Sequence, residues 1–303
     1  MEPNENLSFE QFPLIDATDH EILMHREAHF GGKFPIMLDY YRTGGKGAQP
    51  EFELERIERL AFLEEQLKQN SAALFLAADE IQKIADSRDA YQNLRKIYEI
   101  KGTKNQIPRL IADLILSEEE EPEQEISAIV AQKDQSVPAL IDLLRTEELY
   151  DPLFPGYGQA PFLAVECLGR IGDKRALIAL FEALGQGDFF GDDQIVKALK
   201  TIGESARDFL LKVVNGRPIN EDNEKAAIAL IAFKDDEKVA NDCFDLLEQI
   251  EIKKNACFST YLVLICAGLK DPLRRQALNV MSKNAHVPSH LREEIKMVMC
   301  DWK

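Results

Sequence analysis

Glu21, His25 and His29 recur at four-residue intervals within DHEILMHREAHFGG, residues 19–32, which holds three of the five histidines of this 303-residue chain. On a helix this spacing sets the three side chains within about 80° of one another, along one stripe. Neighbouring members of a carboxylate–imidazole stripe can chelate a divalent metal, so Glu21, His25 and His29 are the candidates for metal chemistry. The zinc-protease pattern needs histidines four apart around a glutamate, whereas His20-Glu21 is followed by His25, one residue too far. No metal site and no cofactor are therefore assigned. The competing reading is a polar helix face that meets solvent or the next helix. Thr18 and Glu21 form a T-x-x-E capping box that predicts a helix start at Asp19. Gly31 and Gly32 end that helix, and Pro35 opens a second short one, FPIMLDYY. Ile22, Leu23 and Phe30 supply the face that docks on the body.

A second constellation suits binding rather than catalysis. The segment TEELYDPLFPGYGQAP, residues 146–161, is long and rich in Pro, Gly and aromatics, and GQGDFFGDD (185–193) and NGRPINEDN (215–223) are the next loops. If these loops share an edge, Tyr150, Phe154, Tyr157, Phe189 and Phe190 cluster there, rimmed by Asp151, Asp188, Asp192 and Asp193. Aromatic anchors inside a polar rim are what protein interfaces use. The alternative is that the aromatics pack back onto the repeat ends. The GGKG at 44–47 is no phosphate loop, because no strand precedes it and no Ser or Thr follows its lysine.

The elements that position these residues follow an internal repeat. Leu168, Leu199 and Leu230 are spaced by 31 residues, as are Ile171, Ile202 and Phe233 and the acids Asp173, Glu204 and Asp235. Cys266, Leu269 and Asp271 continue the columns at an offset of 36. Earlier units lie at 125–145 and, more degenerate, at 90–116. Each unit reads as helix, tight turn, helix: Phe162, Val165, Leu168 and Ile171 fall at helical spacing. Gly172 suits a left-handed C-terminal position, and Asp173 can cap the helix that follows. Such a hairpin cannot hide its apolar stripe alone and must stack on a neighbour, which predicts an all-α fold of α-solenoid type.

LGRIGDKRALIALFEAL resembles the HEAT-like repeat named after the phycobilisome lyases, ALG-x-IGD-x-RA-x-x-x-L. The match is strongest at 164–184, extends through 195–214, 225–247 and 259–283, and in all covers residues 88–285. The resemblance implies a superhelix of antiparallel helix pairs that works as a protein- or peptide-binding scaffold through its curved surface and inter-repeat loop edge, and it does not imply bilin chemistry. The alternative is an enzyme or enzyme subunit, either lyase-type or metal-dependent at the N-terminal histidine helix. HEAT-repeat iron hydroxylases carry His–Glu pairs in several repeats, whereas FLAVECLGRIG, IVKALKTIGE and AAIALIAFKD contain no histidine.

The domain reading that follows is an N-terminal extension with short helices at 1–50, a helical pair at 51–87, the repeats at 88–285 and a capping helix at 286–303. The net charge of −17 opposes nucleic acid and anionic membranes and favours a basic protein or peptide partner. The acidic run SEEEEPEQE (117–125) reads as a solvated linker with helix-start acids, with a docking site for a basic partner as the alternative. No leader is visible, the longest apolar run (261–269) is half a membrane span, and five cysteines without a CxxC read as reduced thiols, so a cytoplasmic protein is expected.

Overall fold

Glycines, prolines and capping acids cut the chain into short helices, and every regular element among the described residues is helical. The computed structural model describes residues 15–45, 49, 51–99, 106–117, 121–186, 189–300 and 302, with the side chains of Phe189 and Phe190 left out. Part of the GGKG loop (46–47) and of the acidic run (118–120) lies outside the described residues. No helix among them is long and apolar enough to cross a membrane. The contacts divide the chain into two compact units, Met1–Glu125 with Glu147–Ala160, and Ile126–Thr146 with Pro161–Lys303.

The first unit holds α1 (Ala17–His29), α2 (Phe34–Arg42), α3 (Leu54–Leu67), α4 (Ser71–Phe75), α5 (Ala78–Glu99) and α6 (Ile107–Ile115). α1 packs on α3, α4 and α5, α2 packs on α3, and α6 packs on α5. Ile22, Leu23, Met37, Ile57 and Leu60 are fully buried at the centre. This differs from the four-segment reading in two ways. The residues of the extension share one core with those of the helical pair. α5 also runs straight through residue 88, because no glycine or proline interrupts Ala78–Glu99.

The second unit contains α8 (Val137–Arg145), α9 (Ala160–Ile171), α10 (Leu177–Ala183), α11 (Phe189–Ile202), α12 (Glu204–Val214), α13 (Glu221–Leu230), α14 (Glu237–Gln249), α15 (Ala256–Ile265), α16 (Pro272–Lys283) and α17 (Ser289–Cys300); α7 (Glu123–Val130) straddles the division. α13 packs on α15 and α15 on α17, while α12 packs on α14, so alternate helices are neighbours. Leu168, Leu199, Leu230 and Cys266, one column of the repeat, are all fully buried. Gly172 (φ 72°) and Gly203 (φ 80°) end their helices in the left-handed region. Asp173 caps the short 3-10 turn Lys174–Ala176 by accepting from the Arg175 N–H, and Asp271 caps α16 in the same way. In the third repeat the cap is Asp236 rather than its neighbour Asp235.

Ionic contacts join successive turns of this unit. Arg175 holds Asp173 at 2.7 Å and donates to the Asp134 carbonyl of the preceding turn at 2.9 Å. Arg207 reaches Asp236 of the following turn at 2.8 Å. The turns also sit very close together at Gly268: a β-carbon there would lie 1.6 Å from the Lys234 carbonyl oxygen. The variant Gly268→Ala is therefore expected to lose about 1–3 kcal/mol of stability through overpacking. Urea unfolding followed by circular dichroism reads the loss, and an unchanged midpoint would refute the close approach.

Charge divides unevenly between the units. The first carries 14 Lys and Arg against 29 Asp and Glu, a net −15, and the second carries 22 against 24, a net −2.

Candidate functional site

The start of α1 is set by two aspartates. Asp16 accepts from the Asp19 N–H at 3.0 Å and Asp19 accepts from the Asp16 N–H at 3.3 Å, a capping box two residues before the expected Thr18–Glu21 pair. Arg56 reaches Asp16 at 2.6 Å and Arg59 reaches the buried Asp19 at 2.5 Å, which fixes this end of the helix on α3. The hydrogen bonds from Arg56 and from the Asp19 backbone hold the Asp16 carboxyl below its usual range.

From this start, the candidate metal stripe separates. Glu21 is exposed and lines an open cleft of about 550 Å³ with Asp16, His20, Asp79, Glu80 and Lys83. His20 Nδ1 lies 3.0 Å from Glu80 Oε1 at that cleft. His25, by contrast, is 3% exposed, and its ring stands edge-on to Phe52 at 5.2 Å and 5.1 Å from the ring of His29. Each four-residue step turns the stripe by about 40°, enough to carry it from the rim at Glu21 to the interior at His25. Glu21, His25 and His29 therefore do not form a ligand set. No group of three or more His, Cys, Asp or Glu that could hold a metal occurs among the described residues.

Burial keeps both inner histidines neutral. It depresses the His25 pKa to about 3, with the neighbouring His29 ring and Lys83 adding to the effect. It depresses that of His29 to about 4, partly offset by a hydrogen bond to the Leu153 backbone. That bond takes the single ring proton, so Nε2 of His29 presents a lone pair, and it is buried without a hydrogen-bond partner.

Leu153 belongs to the long aromatic loop, which turns inward. Leu153 and Phe154 are 2% and 6% exposed in the core of the first unit, alongside Ile22, Phe34 and Phe52. Ser87, itself buried, donates to the Leu153 carbonyl at 2.6 Å. Phe154 is thus a core residue and not an interface anchor. Tyr150 and Tyr157 are half-buried. Burial raises the Tyr150 pKa. The reason for the inward course is the backbone: Gly156, Tyr157 and Gly158 have φ of 86°, 50° and 79°, three consecutive left-handed residues. Only glycine adopts this region without strain, and a tyrosine there costs about 1–2 kcal/mol. A β-carbon on Gly158 would lie 2.9 Å from the Tyr150 carbonyl oxygen. The other loop of the expected cluster belongs to the second unit. There Asp192 accepts from the Gly185 N–H at 2.7 Å, while Asp188 and the side chains of Phe189 and Phe190 lie outside the described residues.

The folded loop creates a cleft that the sequence reading missed. Ala28 and His29 at the end of α1, Arg88, Tyr91, Gln92 and Arg95 on α5, Ile115 and Leu116 on α6, and Gly156 and Tyr157 of the loop enclose about 450 Å³. The four α5 residues follow i, i+3, i+4, i+7 spacing, the signature of one helix face. The His29 ring meets Tyr91 and Tyr157 edge-on, each at 5.4 Å. Arg88 is anchored by Glu27, through its Nε to the backbone carbonyl at 3.1 Å and its Nη2 to the carboxylate at 3.2 Å. Arg95 is exposed and makes no ion pair among the described residues.

The fold and this site define an all-α protein with an arginine- and tyrosine-lined cleft in its first unit. No family model matches the chain, and it has no match among curated proteins or solved structures.

Proposed function

We propose that the chain is a protein- or peptide-binding scaffold whose second unit is a HEAT-like α-solenoid of the phycobilisome-lyase type. The observation that carries this reading is the alternating packing of α12 with α14, of α13 with α15 and of α15 with α17, beside a fully buried repeat column. Stacked hairpins of this kind leave one layer of helices open along its length, the surface that repeat proteins use for partners. On α16, Leu273 and Val280 are 75% and 63% exposed and seven residues apart, so they share one face. Such an apolar pair suits an amphipathic segment of a partner protein. The partner is basic in part, because the first unit carries a net −15 that attracts positive charge at low salt. Five free cysteines, three of them buried, support a reducing, cytoplasmic setting. The acidic balance resides in the first unit rather than in the second, and the histidine helix gives no support to the metal-enzyme alternative.

The experiment is capture of partners on the full chain with cross-linking to locate the contact, followed by titration of the cross-linked partner. The double variant Leu273→Ser, Val280→Ser is expected to weaken binding by at least about tenfold. Cross-links confined to the first unit, or unchanged affinity of the variant, would sink the reading.

A further inference from the structure

We infer that the cleft formed by the end of α1, one face of α5, α6 and the Gly156–Tyr157–Gly158 turn binds a small organic anion, a carboxylate or phosphate carried on a planar body with a hydrogen-bond donor. The first argument is charge. The unit has twice as many acids as bases, yet none of the ten residues lining this cleft is acidic, and two are arginines. The charged side chains that line this cleft are thus both positive, against the acidic balance of the unit around it.

The two arginines are arranged for different tasks. Glu27 holds Arg88 in place, which fixes its guanidinium at the rim. Arg95, two turns along the same helix face, keeps its donors uncommitted by any ion pair among the described residues. A planar guanidinium offers paired N–H donors that match a carboxylate or phosphate. Tyr91 and Tyr157, with Ile115 and Leu116, supply the aromatic and apolar part of the lining, and aromatic walls of this kind favour a flat ligand. The volume of about 450 Å³ lies within the usual range for small-molecule sites.

Two further features of the lining are consistent with a ligand. The Nε2 lone pair of His29 is buried and unpartnered, and a hydroxyl or amide donor on the ligand satisfies it. Tyr157 keeps a strained left-handed backbone where glycine would relieve the strain, and in return its ring closes one wall of the cleft. Strain of this sort concentrates where a side chain must be held for function.

Calorimetric titration of the full chain tests the assignment with four probes: 4-hydroxybenzoate, phenyl phosphate, inorganic phosphate and the cation 4-hydroxybenzamidine. One or both aromatic anions are expected to bind at least about tenfold more tightly than the cation and than inorganic phosphate. Arg95→Gln, an exposed change that leaves the packing intact, is expected to weaken the better anion by about tenfold, and Arg170→Gln in the second unit to leave it unchanged. Arg95→Gln binding like the unaltered protein, or the cation binding as well as the anions, overturns the site. Inorganic phosphate binding as tightly as phenyl phosphate overturns the planar-body assignment. The outcome is independent of partner capture by the second unit, so either reading can fail alone.

Discussion

Replacing Arg26 by leucine is expected to destabilise the protein by about 3–5 kcal/mol, the scale found when one partner of a buried ion pair is removed. Arg26 is fully buried on α1. Its Nη1 donates to Glu64 Oε2 at 2.5 Å and to the Ser71 hydroxyl at 3.3 Å, and its Nη2 donates to Glu27 Oε1 at 2.8 Å and to Asn70 Oδ1 at 2.9 Å. The guanidinium also lies 4.4 Å from the centre of the Phe34 ring. One side chain thereby joins α1 to α2, α3 and the cap of α4. Glu64 needs it most. Burial pushes the Glu64 pKa up, but hydrogen bonds from the Ser71 hydroxyl and N–H, together with Arg26, outweigh burial and leave the carboxyl below its usual value. Without Arg26 the desolvation remains and the main opposing charge is gone. The double variant Arg26→Leu, Glu64→Leu removes the stranded charge and is expected to recover at least about 1 kcal/mol of the loss. Urea unfolding of the two variants measures both quantities. A single-variant cost below about 1 kcal/mol would show that Arg26 does not organise this core.

Arg26 is also the residue that sequence reasoning passed over, and the reason is physical. Arginine is almost never fully buried, so an arginine between two histidines reads as surface. What repeats or punctuates was legible: Gly172 and Asp173 take the left-handed and capping positions that their types demand, and the leucine column is buried. Where neighbouring residues compete for one cap, the pattern fails by one or two positions, as with Asp236 for Asp235 and Asp16–Asp19 for Thr18–Glu21. Either pair satisfies the hydrogen bonds of a cap, and the choice falls to Arg56 and Arg59 on another helix. The direction of the loop at 147–160 was hidden for a related reason. Its aromatics and glycines fit an exposed binding loop as well as an inward plug, and the decision rests on three successive positive φ angles and on Ser87 reaching Leu153. The charge asymmetry could be counted along the chain, but only the contact pattern, which returns residues 147–160 to the first unit, says which residues to count together.

Lowering the pH from 7.5 to 5 is expected to remove about 4 kcal/mol of stability, about 2 kcal/mol from each of His25 and His29. Both are held neutral by burial, with pKa values of about 3 and about 4 against 6.5 when unfolded. The unfolded chain therefore takes up protons below 6.5 that the folded chain refuses. The stability these groups contribute is complete above 6.5 and is lost as pH falls toward their folded values. At pH 5 the figure is set by the 1.5-unit distance from 6.5, and it holds for any folded pKa well below 5. Carboxylates do not blur this window. Asp16, Glu64, Glu80, Asp208 and Asp236 have their pKa lowered from reference values of 3.8 or 4.5, so their share is lost at lower pH. The variant His25→Leu removes one of the two titrations while keeping an apolar side chain against Phe52, and it should halve the slope of stability against pH between 6.5 and 5. Denaturant unfolding across that range decides the matter. A level profile for the unaltered protein would mean that the two rings accept protons in the fold, and the burial that holds them neutral would then be wrong.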